Sequence, residues 1–334
     1  MCLGILDQSP TRAGGTAREA VLATIELARL TDRLGYSRYW LAEHHNSRTL
    51  ASASPEVLIP MLAANTERIR VGSGGVMLTH YSALKVAEVF RMLEALFPGR
   101  IDMGLGRAPG SNGLTARALS HGPGALPIEA NPEQVADVMG FMTGEMLQGH
   151  QYAAIHAAPS GKGVRVPWLL GSAYDSARFA AEMGLAFSFA HFISPQGGER
   201  VVAAYREQFQ PSPWLAEPMV NVGVAAICAE TDEEAHCIAL SRHLMRLRRK
   251  QRRALGCVPS IEDAEAVELS EPEQEYIDFQ HTLGLEGSPQ CVHEGLRTVA
   301  EQYDADELLV VTITHDYADR ERSYELLAGE LELA

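Results

Sequence analysis

Cysteine, positive charge and long apolar runs are all scarce in this chain of 334 residues. The five cysteines are scattered and form no Cys-x-x-Cys pair, which favours reduced thiols in a cytoplasm and argues against a structural zinc site. The apolar runs are strand-sized, well below the ~18 residues that indicate a membrane span. The N-terminus carries no pattern of a cleavable signal, so we expect a cytoplasmic protein.

Acidic residues outnumber basic ones, 43 to 28, for a net charge of −15. This charge repels nucleic acid and anionic lipid, and we predict neither as a partner. The basic stretch at 246–253 is the exception. A helix C-terminus favours cations, so we interpret this stretch as a solvated helix end that pairs with the acidic tract at 262–275.

Eight strand-like apolar runs alternate with helix-like segments along most of the chain. Near-continuous apolar strands are buried on both faces, as in a parallel sheet covered by helices. Eight such units fit a closed barrel better than an open sheet. We therefore predict an α/β fold, a (β/α)8 TIM barrel, as one domain over residues 1–334. The predicted strands are 3–6, 38–42, 69–72 continuing to 76–78, 101–105, 168–170, 186–190, 219–228 and 307–312.

Helix starts are well marked, and two stretches break the alternation. Thr16, Ser172 and Thr231 each precede an acidic residue three positions later, the pattern of a capping box. Residues 108–165 are predicted to be an insertion after strand 4, with one helix over about 131–147. Residues 257–290, before strand 8, are acidic and punctuated by Gly and Pro, and we expect a mobile loop over the barrel mouth.

Histidines stand where predicted strands end, which is where parallel α/β proteins meet their ligands. His44 and His45 follow the second strand, and one of them is expected to face the mouth as acid, base or hydrogen-bond donor. Adjacent side chains point to opposite faces, and no third ligand is evident, so we predict no metal site there. His191, His80 and Tyr81 are further candidates for the mouth.

Two strand ends carry features that handle anions. Arg107 leaves the fourth strand as a guanidinium suited to bidentate contact with a phosphate. Gly171 and Ser172 lead into a predicted helix N-terminus, where free N–H groups favour an anion. An Arg–carboxylate pair and a plain capped helix are the structural alternatives. Because both features open on the same barrel face, a phosphate site is favoured.

Glycines interrupt the third strand at residues 72–75. Glycine is used where backbone must bulge or lie against a flat group. A simple bulge and a platform for a flat ring system explain this cluster equally well.

Four motifs in register resemble the bacterial luciferase-like flavin monooxygenases. The resemblance runs through nearly the whole chain and also includes residues 287–289 and 304–307. It implies a TIM barrel that binds reduced FMN, usually supplied by a separate reductase, and often a homodimer. The motifs are residues 42–45, 72–78, 98–107 and 170–172.

The resemblance also implies roles for single residues. Arg107 and the helix start at Gly171, Ser172 and Tyr174 would hold the FMN phosphate. Gly74 and Gly75 match a non-proline cis peptide beneath the flavin ring, and His44 matches a histidine important in catalysis. His80, Tyr81 and His191 are expected to face the substrate.

The function that this implies is a monooxygenase that uses reduced FMN and O2 on an unknown small organic substrate. A dehydrogenase or reductase of the same fold that uses F420 is the first alternative. A non-catalytic flavin-binding protein is the second, and a metal-dependent barrel hydrolase is the weakest. Nothing in the sequence predicts light emission.

Overall fold

A computed structural model describes residues 1–108, 110, 112–120, 128–146, 149–251, 253 and 256–333, with residue 128 described by its backbone only. Within these ranges the chain forms ten β-strands and twelve α-helices, and most strands are followed by a helix.

The ten strands belong to one sheet whose strand pairings are all parallel. They are β1 (Leu3–Asp7), β2 (Arg38–Leu41), β3 (Arg70–Ser73), β4 (Val76–Met77), β5 (Ile101–Gly106), β6 (Pro167–Gly171), β7 (Ala186–Phe189), β8 (Val220–Cys228), β9 (Leu285–Gly287) and β10 (Glu307–Val311).

The helices lie between the strands and after the last one. They are α1 (Ala17–Arg33), α2 (Pro55–Ala64), α3 (Ala83–Leu96), α4 (Gly113–Leu119), α5 (Asn131–Thr143), α6 (Tyr174–Glu182), α7 (Gly198–Gln208), α8 (Asp232–Lys250), α9 (Ile261–Glu265), α10 (Glu271–Leu283), α11 (Pro289–Tyr303) and α12 (Tyr317–Glu330).

Eight of the strands close into a barrel, in the order β1, β2, β3, β5, β6, β7, β8 and β10. The last strand completes the ring, since Leu308 is level with Leu3 of β1 and Glu307 is level with Asn221 of β8. β4 pairs only with β5, and β9 pairs with the end of β8. The predicted (β/α)8 TIM barrel is confirmed.

Helix α1 shows how local sequence starts an element. The Glu19 N–H donates to the Thr16 hydroxyl at 3.2 Å, and the Thr16 N–H donates to the Glu19 carboxylate at 2.7 Å. This reciprocal pair satisfies two N–H groups that a helix start would leave open. Ala20 and Leu27 then bury one face of the helix against the barrel.

The barrel interior is filled by side chains from strands on opposite sides. Trp40 of β2 and Trp168 of β6 are fully buried, with ring centroids 5.3 Å apart in an edge-on arrangement. The Trp40 indole N–H donates to the Asp102 carboxylate at 3.0 Å, so its polar atom is satisfied. Of the helices in the described residues, none has the length and apolar character needed to cross a membrane.

The segment at 108–165 differs from the predicted insertion with one helix. Helix α4 precedes the predicted one, and the Asn112 side chain caps it by accepting from the Thr115 N–H at 2.9 Å. Helix α5 ends at Thr143, because Gly144 adopts a left-handed conformation. Since α5 packs on α3, it acts as the outer helix of the fourth βα unit.

The loop predicted over 257–290 is wrong, because α9, α10 and β9 occupy most of this stretch. Ala264 and Ile277 are buried against α8, which gives the two helices an apolar anchor. Helix α10 starts with a capping box formed by Ser270 and Glu273, a signal present in the sequence. Val258 is fully buried in a cluster with residues at the ends of β2 and β10, so the stretch does cover part of the mouth.

Candidate active site

The rim after β2 is organised around Glu43, a fully buried carboxylate. One oxygen, Oε2, accepts from the Met77 N–H at 2.9 Å. The other, Oε1, accepts from the Tyr81 hydroxyl at 2.9 Å and lies 2.6 Å from Nε2 of His45. Both oxygens are therefore occupied, and the carboxylate ties the end of β2 to the segment after β3.

His44 lies next to this carboxylate in sequence but does not bond to it. Its backbone N–H donates to the Ser52 carbonyl at 2.9 Å. Its ring nitrogen Nδ1 is buried and has no hydrogen-bond partner among the described residues. Burial lowers the pKa of His44 to about 4, helped by repulsion from Arg249 and His45. The imidazole is therefore neutral near pH 7 and available to accept a proton or hydrogen bond.

His80 and Tyr81, candidates for the mouth from the sequence, both lie next to residues of the Glu43 network. The His80 ring is edge-on to His45 with centroids 5.8 Å apart, and its Nδ1 is 3.4 Å from the Ser120 hydroxyl. Burial, and then the Glu43 carboxylate, raise the pKa of Tyr81, so the phenol stays protonated as a donor. Tyr81 thus orients Glu43, a role that the sequence did not predict.

Gly74 and Gly75 are joined by a non-proline cis peptide bond, as the resemblance implied. Packing also requires glycine at position 75, because a Cβ there would lie 2.7 Å from the Gly104 carbonyl oxygen of the β5 backbone. A Cβ at Gly74 would lie 2.6 Å from the end of the Leu6 side chain, which would have to shift.

Arg107 and Gly171 are brought side by side at the ends of β5 and β6, because Gly106 is level with Leu170. Arg107 is exposed and makes no ion pair with any residue in the described part of the chain. The predicted Arg–carboxylate alternative therefore finds no partner among those residues.

The start of α6 departs from the predicted capping box at Ser172. The N-cap is Ala173, whose extended backbone leaves Ser172 outside the helix, and no side chain of the described residues caps the first turn. The Ser176 N–H donates to the Ala173 carbonyl at 3.2 Å, so the N–H groups of Tyr174 and Asp175 are the ones available to an anion. The Tyr174 hydroxyl instead accepts from the Gln208 amide at 2.8 Å, which directs this side chain toward α7.

His191 follows β7 and is separate from the Glu43 cluster. Its half-buried ring is edge-on to Tyr303 with centroids 5.6 Å apart, and burial lowers its pKa. It lines a cavity of about 300 Å³ together with Arg242 and Arg246 of α8. The sequence predicted His191 for the mouth but singled out no partner on α8.

The basic stretch at 246–253 is only partly a solvated helix end. Lys250 lies over the Tyr276 ring at 4.3 Å, and Arg253 is 3.6 Å from the Glu273 carboxylate, so the predicted pairing with the acidic tract is present. Arg246 instead faces the cavity.

A buried histidine–carboxylate cluster lies beside the cavity and was missed by the sequence reasoning. Glu286 is held by His243 and His281, each at 2.8 Å, and lies 3.9 Å from Arg242. These contacts outweigh burial and lower the pKa of Glu286 to about 2. The only signal was the spacing of His236 and His243, two turns apart on one face of α8.

Within the described ranges, His236, His281 and Glu286 also have potential ligand atoms within 4.8 Å of one another. A divalent cation there would be repelled by the Arg242 guanidinium, which lies 3.9 Å from the same carboxylate. We therefore interpret the cluster as the support that positions Arg242.

Comparison with known proteins gives a consistent family. The model of the luciferase-like monooxygenase family matches residues 1–306. The protein YwcH of Bacillus subtilis (strain 168) is 43% identical over 97% of this chain and 97% of its own length. The N-acetyl-S-alkylcysteine monooxygenase of the same organism is 37% identical over 98% of this chain and 97% of its own.

Solved structures agree with the barrel. The crystal structure of apo-MsnO8 has a TM-score of 0.90 and 37% identity, covering 100% of this chain and 99% of that one. An FMN complex of the oxygenating constituent of 3,6-diketocamphane monooxygenase from Pseudomonas putida has a TM-score of 0.69 at 19% identity, covering 98% and 96%. An F420-dependent secondary alcohol dehydrogenase has a TM-score of 0.67 at 12% identity, covering 99% and 98%. The last two share the fold and leave the choice of cofactor open.

Proposed function

Because this chain belongs to the luciferase-like monooxygenase family, we propose that it uses reduced FMN and O2 to oxygenate a small organic substrate. The observation that carries the cofactor proposal is that Arg107 and the uncapped start of α6 lie at neighbouring strand ends. Arg107 has no ion-pair partner among the described residues. A guanidinium beside a helix N-terminus suits a phosphate monoester.

The residues of the rim fit FMN in this orientation. Arg107 and the backbone after Gly171 would hold the phosphate, and the segment at Gly74 and Gly75 would lie beneath the flavin ring. Bound reduced FMN supplies the electrons that activate O2. Tyr174 contributes through its backbone N–H, since its hydroxyl is bonded to Gln208.

His44 is the residue we propose for proton transfer. Its imidazole is neutral near pH 7, and its Nδ1 has no partner among the described residues, so this nitrogen can form a hydrogen bond with a reacting group. The lowered pKa favours rapid return of any proton that the imidazole accepts. Glu43 fixes His45 and Tyr81 and thereby keeps the rim beside His44 in one arrangement.

Two alternatives remain within the fold. An F420-dependent dehydrogenase would use the same phosphate site, but the relatives at 37–38% identity are named as monooxygenases, which favours FMN. A non-catalytic flavin binder would need no neutral buried imidazole beside the cofactor, so His44 favours an enzyme.

The partners are proposed on separate grounds. Val57 and Met61 of α2 and Met92 and Leu96 of α3 are about half exposed or more, and these helices pack side by side. An apolar face of this kind supports a homodimer. A separate flavin reductase and a cytoplasmic location remain predictions from the sequence.

Anaerobic titration tests the cofactor proposal, with reduced FMN and reduced F420 added to separate samples. We expect tight binding of reduced FMN, and Arg107→Gln should weaken it at least about tenfold through loss of a charge-assisted contact. Arg165→Gln is the matched control, because Arg165 is exposed before β6, at the opposite end of the barrel. Binding of reduced F420 alone would contradict the proposal.

A further inference from the structure

We propose that the cavity beside His191 binds the carboxylate of a small organic acid through Arg242 and Arg246, and that the substrate belongs to this class. The assignment of this ligand as the substrate rests on the proposed function. The anion site itself is argued from the cavity alone.

The cavity has a volume of about 300 Å³, at the small end of the range for ligand pockets. It lies between the segment after β7, the middle of α8 and the end of α10. Among the described residues that line it, none is an aspartate or a glutamate. The polar side chains in this lining that could contact a ligand include Arg242, Arg246, Gln280 and His191.

Arg242 is only 4% exposed, yet its guanidinium makes no hydrogen bond to any described residue. A guanidinium carries five N–H donors. The neighbouring carboxylate of Glu286 lies 3.9 Å away, beyond hydrogen-bonding distance. Buried donors without acceptors are strongly unfavourable, so an acceptor inside the cavity is the expected partner.

Arg246 lies one turn further along α8 on the same face and is half-buried. It makes no ion pair with any residue that the structure describes. Like charges one turn apart destabilise a helix, and Arg246 does lower the pKa of Arg242. An anion between the two guanidinium groups would turn this repulsion into attraction.

The Glu286 cluster explains how Arg242 is held while its donors stay free. His243 and His281 both hydrogen-bond to Oε2 of Glu286, at 3.1 and 2.8 Å, and so fix the carboxylate. Its Oε1 lies 3.9 Å from Arg242, close enough to attract the guanidinium and too far to accept from it. A carboxylate placed directly on the guanidinium would have used the donors that a ligand needs.

The remaining walls identify the ligand as organic. Phe192, Ile193 and Leu283 add apolar surface to the lining that holds the two arginines. Burial lowers the pKa of His191, so this ring offers a neutral hydrogen-bonding group and adds no charge near pH 7. An acid with a short apolar body matches this lining better than a free inorganic anion does.

Isothermal titration calorimetry of the full chain with hexanoate, hexanamide and inorganic phosphate tests the proposal. We expect hexanoate to bind and its neutral amide to bind at least about tenfold more weakly, since the amide lacks the charge. Arg246→Gln should weaken hexanoate binding at least about tenfold. Arg248→Gln, which removes one half-buried charge of the same helix outside the cavity, should leave hexanoate affinity unchanged.

Arg242→Gln should weaken hexanoate binding more than Arg246→Gln does. If Arg242→Gln fails to fold, Arg246→Gln alone still tests the proposal. Equal binding of hexanoate and hexanamide, or binding of neither, would overturn the proposal. Phosphate that binds and displaces hexanoate would also overturn it, in favour of a general anion site. Titration of the same variants with reduced FMN separates the two proposals: retained FMN binding with lost hexanoate binding supports both, and lost FMN binding assigns the cavity to the cofactor phosphate.

Discussion

The two sides of the barrel mouth differ in how a buried charged side chain is hydrogen-bonded. On the β2 side, both oxygens of Glu43 are used by protein groups, with contacts at 2.6 to 2.9 Å. On the α8 side, the Arg242 guanidinium makes no hydrogen bond to a described residue. The Glu43 network holds the rim after β2 in one conformation, whereas Arg242 keeps its N–H donors available for a ligand.

This difference separates positioning residues from binding residues. A satisfied buried network stabilises one conformation, so its members should affect stability when they are changed. An unsatisfied charge destabilises the free protein, so its removal should affect binding more than folding. Substitutions in the two regions should therefore change different properties, stability on the β2 side and binding on the α8 side.

Glu43→Ala should have the largest effect on the free energy of unfolding. The change leaves the Met77 N–H, the Tyr81 hydroxyl and His45 without their buried acceptor, which costs about 3–5 kcal/mol. Urea unfolding followed by circular dichroism measures it. Glu67→Ala, at an exposed position, is the control, and equal effects of the two changes would show that the network does not stabilise the rim.

His44 should make stability depend on pH. Its pKa falls from 6.5 to about 4 on folding, so the unfolded chain binds the proton more readily. Stability is therefore highest above about pH 6.5 and falls by up to about 3 kcal/mol as the pH drops toward 4. Unfolding free energies of the wild type and His44→Gln across this window should diverge; parallel curves would refute the assignment.

Tyr81→Phe should destabilise the protein by about 1 kcal/mol, the value of one hydrogen bond. The ring stays in place, and Glu43 loses one donor while it keeps His45 and the Met77 N–H. Thermal and urea unfolding measure the change against Tyr152→Phe, whose partly exposed ring lies away from Glu43. No difference between the two variants would remove Tyr81 from the network.

Arg246→Gln should raise the free energy of unfolding by about 0.2–0.5 kcal/mol, because it relieves repulsion with Arg242. This is the smallest effect and the only one in the stabilising direction. Arg248→Gln should leave stability unchanged in the same urea series. Destabilisation by Arg246→Gln would mean that a protein partner, and not a ligand, satisfies this charge.

Sequence patterns were sufficient for the barrel. Apolar runs predicted the eight barrel strands, and Thr16 with Glu19 predicted the start of α1. Leu285–Gly287 was missed, because three residues carry no periodicity. The helix α10 was missed although Ser270 and Glu273 form a recognisable capping box.

The candidate site was predictable at single positions and not in its contacts. The non-proline cis peptide at Gly74 and Gly75 followed from the resemblance. The role of Glu43 did not, because two of its three partners, the Met77 N–H and Tyr81, come from beyond β3. The position of Arg242 in a cavity could not be predicted for the same reason, because the cavity joins α8 to segments tens of residues away in sequence.

The most direct test of the central claim is the reaction of bound reduced FMN with O2. An anaerobic complex with excess protein is mixed with oxygenated buffer, and the flavin absorbance is followed in time. We expect the rate of flavin reoxidation on the protein to differ from that of free reduced FMN and to change again in His44→Gln. Reoxidation identical to that of free reduced FMN in both proteins would contradict a monooxygenase and favour an F420 enzyme or a flavin-binding protein.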